Sequence, residues 1–171
     1  PILVWKGTLK MAKLPRYNLQ TLLEIREREK EQAENAFAEA TKRVEEEKKR
    51  KAEMEEELEK MILRRQQKRK EYAEKQMRGE MSTQAIISGN MYIDRLKEEE
   101  ENQKEAIEAQ QRVIEEKERA AERARQTMIK ATQDLKALEK HREKWEEAKK
   151  KEIQTKEEDA MDDLSQAIYN M

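Results

Sequence analysis

The sequence predicts an all-α protein, a long two-helix antiparallel coiled-coil hairpin. Three observations predict it. Charged residues fill 45% of the 171 positions, yet 38 Lys and Arg nearly balance 39 Asp and Glu. The three Gly and two Pro leave two long uninterrupted runs on either side of residues 78–90. Within those runs apolar residues recur at alternating steps of three and four. A chain rich in Ala, Glu, Lys, Leu and Arg with that spacing reads as coiled coil, not as a compact core. The net charge of −1 keeps self-repulsion small, which separates it from a disordered polyampholyte.

Residues 1–17 are expected to form a flexible or loosely packed leader, apolar and broken by Gly7 and Pro15, with Met11 as a candidate start. The opening Pro1-Ile2-Leu3-Val4-Trp5 is too short for a signal-peptide core. Residues 18–171 then make one hairpin. Helix one spans about 18–77, and Asn18 is its expected N-cap. Its seam reads Leu19, Leu23, Arg26, Lys30, Ala33, Phe37, Ala40, Val44, Glu47, Lys51, Met54, Leu58, Met61, Arg65, Lys68, Tyr72. The tip spans about 78–90 and carries two break points, Gly79 to Ser82 and Ser88-Gly89-Asn90, with Ser82 suited to cap the next helix. Helix two spans about 91–169. Its seam runs Ile93, Leu96, Glu100, Gln103, Ile107, Gln110, Ile114, Lys117, Ala121, Ala124, Met128, Ala131, Leu135, Leu138, Arg142, Trp145. Beyond Trp145 the stripe shifts to Ile153, Ala160, Leu164 and Ala167, as a helix does when it leaves a strict heptad.

Folding at residues 79–90 aligns residues whose numbers sum to about 168, a register in which the two seams match as coiled-coil layers. Ala33 then faces Leu135, Phe37 faces Ala131, Ala40 faces Met128 and Val44 faces Ala124, large against small. Basic residues 64–70 lie beside Glu98 to Glu101. Lys51 against Lys117 is the one layer that fits badly, and a slip of one heptad is the alternative. About 60 residues per arm give a rod roughly 90 Å long, with helix two extending past its partner.

Several functions are excluded by what is missing. Without Cys there is no disulfide or thiolate metal site. His141 is the single histidine, so neither a metal site nor a nucleophile–His pair can be built on it. Carboxylates abound, but two helices offer no cleft to perturb them. No Gly-rich phosphate loop exists. We therefore expect no enzyme activity and no cofactor. Balanced charge gives no drive toward nucleic acid, and no apolar run reaches membrane-spanning length.

Three stretches carry a family resemblance. Helix one opens Tyr17-Asn18-Leu19-Gln20-Thr21-Leu22-Leu23-Glu24-Ile25-Arg26. Around the tip, Glu71-Tyr72 leads to Gly79-Glu80-Met81-Ser82-Thr83 and then Met91-Tyr92-Ile93. Late in helix two stands His141-Arg142-Glu143-Lys144-Trp145-Glu146-Glu147-Ala148. From Tyr17 onward the chain resembles the FliJ/SctO (YscO) family, central stalk proteins of flagellar and virulence type III secretion systems, and is most similar to the chlamydial-type SctO. The resemblance implies a non-enzymatic, monomeric, cytoplasmic stalk at the face of a secretion apparatus. Its partners would be a hexameric secretion ATPase and the cytoplasmic domain of an export gate protein, with export chaperones as further candidates.

On that resemblance, Leu22, Ile25, Arg26, Arg28 and Trp145 are the ATPase-contact candidates. The export-gate candidates at the tip are Tyr72, Met77, Ile86, Ile87, Met91 and Tyr92. Each has a plainer role beside it. Trp145 lies on the seam and can simply cap the packed zone. Leu22 and Ile25 widen the apolar stripe, and the tip residues can fold into a small cap. The rival functions are a coiled-coil scaffold that homodimerises without a motor, and a peripheral stalk subunit of an ion-pumping ATPase.

Overall fold

The computed structural model describes residues 13–170, in which no strand occurs. Two helices fill it: α1, Gln20–Met77, and α2, Thr83–Tyr169. Partners pair in opposite senses along them, Tyr17 with Trp145, Lys51 with Gln111 and Tyr72 with Gly89. The fold is thus the expected antiparallel hairpin. Its contacts divide into two units, Pro1–Glu34 with Thr127–Met171, and Asn35–Gln126. Most of the leader, with Met11, lies outside the described residues.

In the first unit, α1 begins two residues after Asn18. Asn18 and Leu19 form a turn closed by the Gln20 N–H on the Tyr17 carbonyl at 3.2 Å, so backbone takes the role expected of an Asn18 cap. Tyr17 itself, assigned by sequence to the leader, is only 5% exposed. Leu23, Ala33 and Leu135 are the other buried side chains here.

In the second unit the connection is five residues long, shorter than expected. Gly79 adopts φ 69°, the Gly79 N–H donates to Gln76 O (3.1 Å) and the Glu80 N–H to Lys75 O (3.0 Å). That is a Schellman end, which glycine permits because it lacks a Cβ. Ser82 caps α2 as expected, its Oγ accepting from the Ala85 N–H at 3.1 Å. The helix then runs straight through Ser88-Gly89-Asn90, residues read from sequence as tip. Gly89 has another purpose. A Cβ there would stand 3.3 Å from the Tyr72 ring, so its absence lets the ring lie against the α2 backbone.

Starting α2 at Thr83 moves the register. In the second unit Lys51 meets Gln111, Tyr72 meets Gly89 and Arg65 meets Glu100. Those pairs sum to 161–165, and Gln110 with Glu47 and Gln103 with Met54 both sum to 157. The alignment centres near 161, not 168, one heptad from the sequence expectation. Lys51 thereby escapes Lys117. Its Nζ donates to Gln111 Oε1 at 3.0 Å and also lies 3.6 Å from Glu55. The ill-fitting layer was the sign that the longer tip was wrong. The seams themselves hold: Val44, Ile93, Leu96, Glu100, Gln110 and Ile114, the buried side chains of this unit, all lie on them.

Candidate functional site

In the first unit, three aromatic rings gather where the chain enters α1. Trp145 meets Tyr17 edge-on, with centroids 5.2 Å apart and an interplanar angle of 65°. That geometry suits the positive edge and negative face of aromatic rings. The Tyr17 hydroxyl and His141 Nδ1 share a hydrogen bond at 2.5 Å. Trp145 thus caps the packing, with its ring set against Tyr17. Beside it Leu14, Pro15, Gln20, Arg142 and Glu146 help to line an open recess of about 390 Å³. Sequence reasoning missed Tyr17 and His141 as a pair. The available signal was an aromatic directly before the helix in a chain only 4% aromatic.

The remaining ATPase-contact candidates differ in availability. Leu22 and Ile25 stand outside the seam, 38% and 43% exposed. Arg26 is engaged: its Nη1 lies 2.7 Å from Glu29 and 3.9 Å from Asp134, and the Glu29 carboxylate raises its already high pKa. Arg28 is exposed. Farther along α2, Met161, Leu164 and Ile168 recur at steps of three and four with more than half of each side chain exposed. That stripe shares Leu164 with the shifted one read from sequence, but Met161 and Ile168 were not on it, and none of the three was among the candidates.

In the second unit, the tip candidates split in two. Met77, Ile87 and Met91 are exposed, Met77 most of all at 89%. Tyr72 and Ile86 are half-buried, with Tyr72 held against Gly89. Tyr92 carries the Arg95 guanidinium 5.3 Å above its ring, a cation–π contact that no sequence pattern announces. Ser88, Met91, Tyr92, Asp94, Arg95 and Glu98 line an open groove of about 560 Å³. On the α1 side, hydrogen bonds from Lys68 and Lys75 hold the Glu71 carboxyl below its ordinary range.

Among the described residues no cluster of three metal-ligating side chains occurs, and no helix is long and apolar enough to cross a membrane. What both regions offer is apolar side chains left facing solvent.

Comparison with known proteins agrees with this picture. The YscO-like protein family model matches residues 14–171. A solved structure described as a YscO homolog, CT670 from Chlamydia trachomatis, is similar with a TM-score of 0.76 at 24% identity, over 91% of this chain and 96% of that one. At that identity the likeness establishes the fold. No curated protein matches the chain by sequence.

Proposed function

The chain belongs to the YscO-like family, stalk-type components of type III secretion, and on that premise we propose that it is the non-enzymatic central stalk of a secretion ATPase. In this reading the first unit seats in the hexameric ATPase ring through Leu22, Ile25, Arg26, Arg28 and Trp145. The tip engages the cytoplasmic domain of the export gate through Tyr72, Met77, Ile86, Ile87, Met91 and Tyr92. The protein works as a monomer at the cytoplasmic face of the apparatus, and export chaperones are further partners.

The observation that carries the reading is the placement of exposed apolar groups. Two helices that complete a seam have no packing need for Leu22, Ile25, Met161, Leu164 and Ile168 in one unit, or Met77, Ile87 and Met91 in the other. Apolar patches left in water mark partner sites, and methionine suits surfaces that must adapt. Arg26, already paired with Glu29, and Trp145, covered on one side by Tyr17, act here as supports for the exposed Leu22 and Ile25.

The test is hydrolysis by the cognate hexameric ATPase with and without this protein. Stimulation is expected, and L22D/I25D should lose most of it while M77D/M91D keeps it. M77D/M91D should instead lose binding to the gate domain. Unchanged hydrolysis with the parent protein would sink the ATPase half of the proposal. Undiminished gate binding by M77D/M91D would sink the other half.

A further inference from the structure

Within the unit Asn35–Gln126, two kinds of signal repeat at the same interval. Helix-start residues occur at Ser82, which caps α2, and again at Ser88-Gly89-Asn90, where Gly89 is seven residues on. The seams also match twice. The observed alignment centres on sums of 161, and a second alignment at 168 lies seven higher. At 168, Val44 stands opposite Ala124, Met54 opposite Ile114, Met61 opposite Ile107 and Tyr72 opposite Leu96. Glu100, only 4% exposed, pairs with Arg65 at 2.7 Å in the observed register and stands opposite Lys68 in the other. A buried carboxylate that meets a cation in both alignments is spared the penalty of an unpaired charge. Lys51 opposite Lys117 is the layer that weights the balance toward 161.

We propose that α2 slides along α1 by one heptad between these two registers, with residues 83–89 leaving the helix and the helix restarting at Ser88-Gly89-Asn90. Seven residues at 1.5 Å rise make the step about 10 Å. The seam's polar residues make such a step feasible, because they interrupt the continuous apolar contact that would lock one alignment. The residues released are poor helix formers at their far end, Ser88 and Gly89. Ile86 and Ile87 pass from helix to loop as the register changes, so a partner that binds them in one state biases the slide. By linkage, the register in turn sets the partner's affinity. The slide is a property of the chain alone and is independent of the ATPase assignment.

The chain contains no Cys, so engineered pairs report cleanly. Ile107→Cys combined with Met54→Cys tests the 161 register, and combined with Met61→Cys tests 168; all three positions are half-buried. Oxidation of the full-length protein is followed on non-reducing gels, where mass separates intramolecular from intermolecular bridges. The 54/107 pair should close first. The 61/107 pair should also close, roughly ten- to a hundredfold more slowly, as expected of a minor state. In K51E/G89P the order should reverse. The carboxylate introduced by K51E would stand opposite Lys117, and the proline introduced by G89P would break the observed helix there and favour a restart within residues 88–90. Failure of 61/107 to close in both backgrounds, with helicity retained by circular dichroism, overturns the slide. Should K51E/G89P lose its helicity, the 61/107 rate in the parent background decides alone, and no closure there overturns it too.

Discussion

The two units solve the same problem with different chemistry. In Pro1–Glu34 with Thr127–Met171, the buried groups among the described residues are Tyr17, Leu23, Ala33 and Leu135, and cross-helix charge is peripheral, as in Arg26 with Asp134 at 3.9 Å. In Asn35–Gln126, the buried set includes Glu100 and Gln110, and cross-helix polar bonds repeat along the seam. Arg65 Nε donates to Glu100, Lys51 Nζ to Gln111, Gln103 Nε2 to the Met54 carbonyl and Gln110 Nε2 to the Glu47 carbonyl. No buried side-chain nitrogen or oxygen among the described residues lacks a partner. The lesson concerns what each kind of contact specifies. An aromatic clasp fixes where packing ends, whereas buried polar pairs fix which residue faces which and add little net stability.

The largest break in that contrast should come from Arg65→Ala. It strands Glu100 with its side chain 5% exposed and no cation, at a cost of about 3–5 kcal/mol. R65L/E100L should recover the loss or exceed the parent in thermal melts followed by circular dichroism. A double variant as weak as R65A would mean that the pair stabilises outright. In the other unit, Tyr17→Ala removes a buried ring and should cost about 3 kcal/mol, the low end for aromatic truncation because Trp145 is only half-buried. Tyr17→Phe loses just the hydroxyl bond to His141, about 1 kcal/mol. Fluorescence of Trp145 in a W5F background separates the two. A red shift with Y17A and none with Y17F is expected, and equal spectra would remove Tyr17 as the cover.

Much of this was legible in the sequence. The seams were, because a repeat of three and four leaves no other stripe to bury, and Leu23, Val44, Ile93 and Ile114 all lie on it. The tip was not. Ser88-Gly89-Asn90 reads as a break in any local scheme, and it takes the Tyr72 ring, 17 residues away in sequence, to show what a glycine inside the helix does there. The register error came from that single misreading, since residues given to the tip are residues taken from the pairing. Of the surface candidates, Leu22, Ile25, Met77, Ile87 and Met91 are available to a partner. Arg26 and Tyr72 are committed to neighbours that periodicity alone cannot supply.

The two tip glycines refine the comparison at smaller scale. Gly79→Ala meets no atom within 4 Å but must hold φ near 69°, so about 1–2 kcal/mol should be lost through backbone strain alone. Gly89→Ala gains about 1 kcal/mol of helix propensity against a tight contact with a half-exposed ring that can tilt. Its net effect should lie near zero. Equal losses at both positions in urea titrations would show that space, not backbone conformation, limits the tip.

The smallest effect belongs to charge that lies off the seam. Glu152 stands between Lys149 at 2.8 Å and Lys156 at 2.9 Å, and their hydrogen bonds lower its pKa to about 2. A carboxyl that binds its proton less readily in the helix than in the unfolded chain supports the helix above its ordinary range. That support shrinks as pH falls below about 4.5 and is gone below about 2. Because the group is exposed, salt should screen it, unlike the buried Glu100 pair. A carbon-13 titration of the Glu152 carboxyl should therefore show a depressed midpoint at low ionic strength. The midpoint should climb in about 1 M salt, where screening is nearly complete. It should return to the ordinary range, about 4.3, in K149A/K156A. A midpoint unmoved by removing both lysines would assign the depression to something other than these pairs. The contrast with Glu100 would then have to be drawn from burial alone.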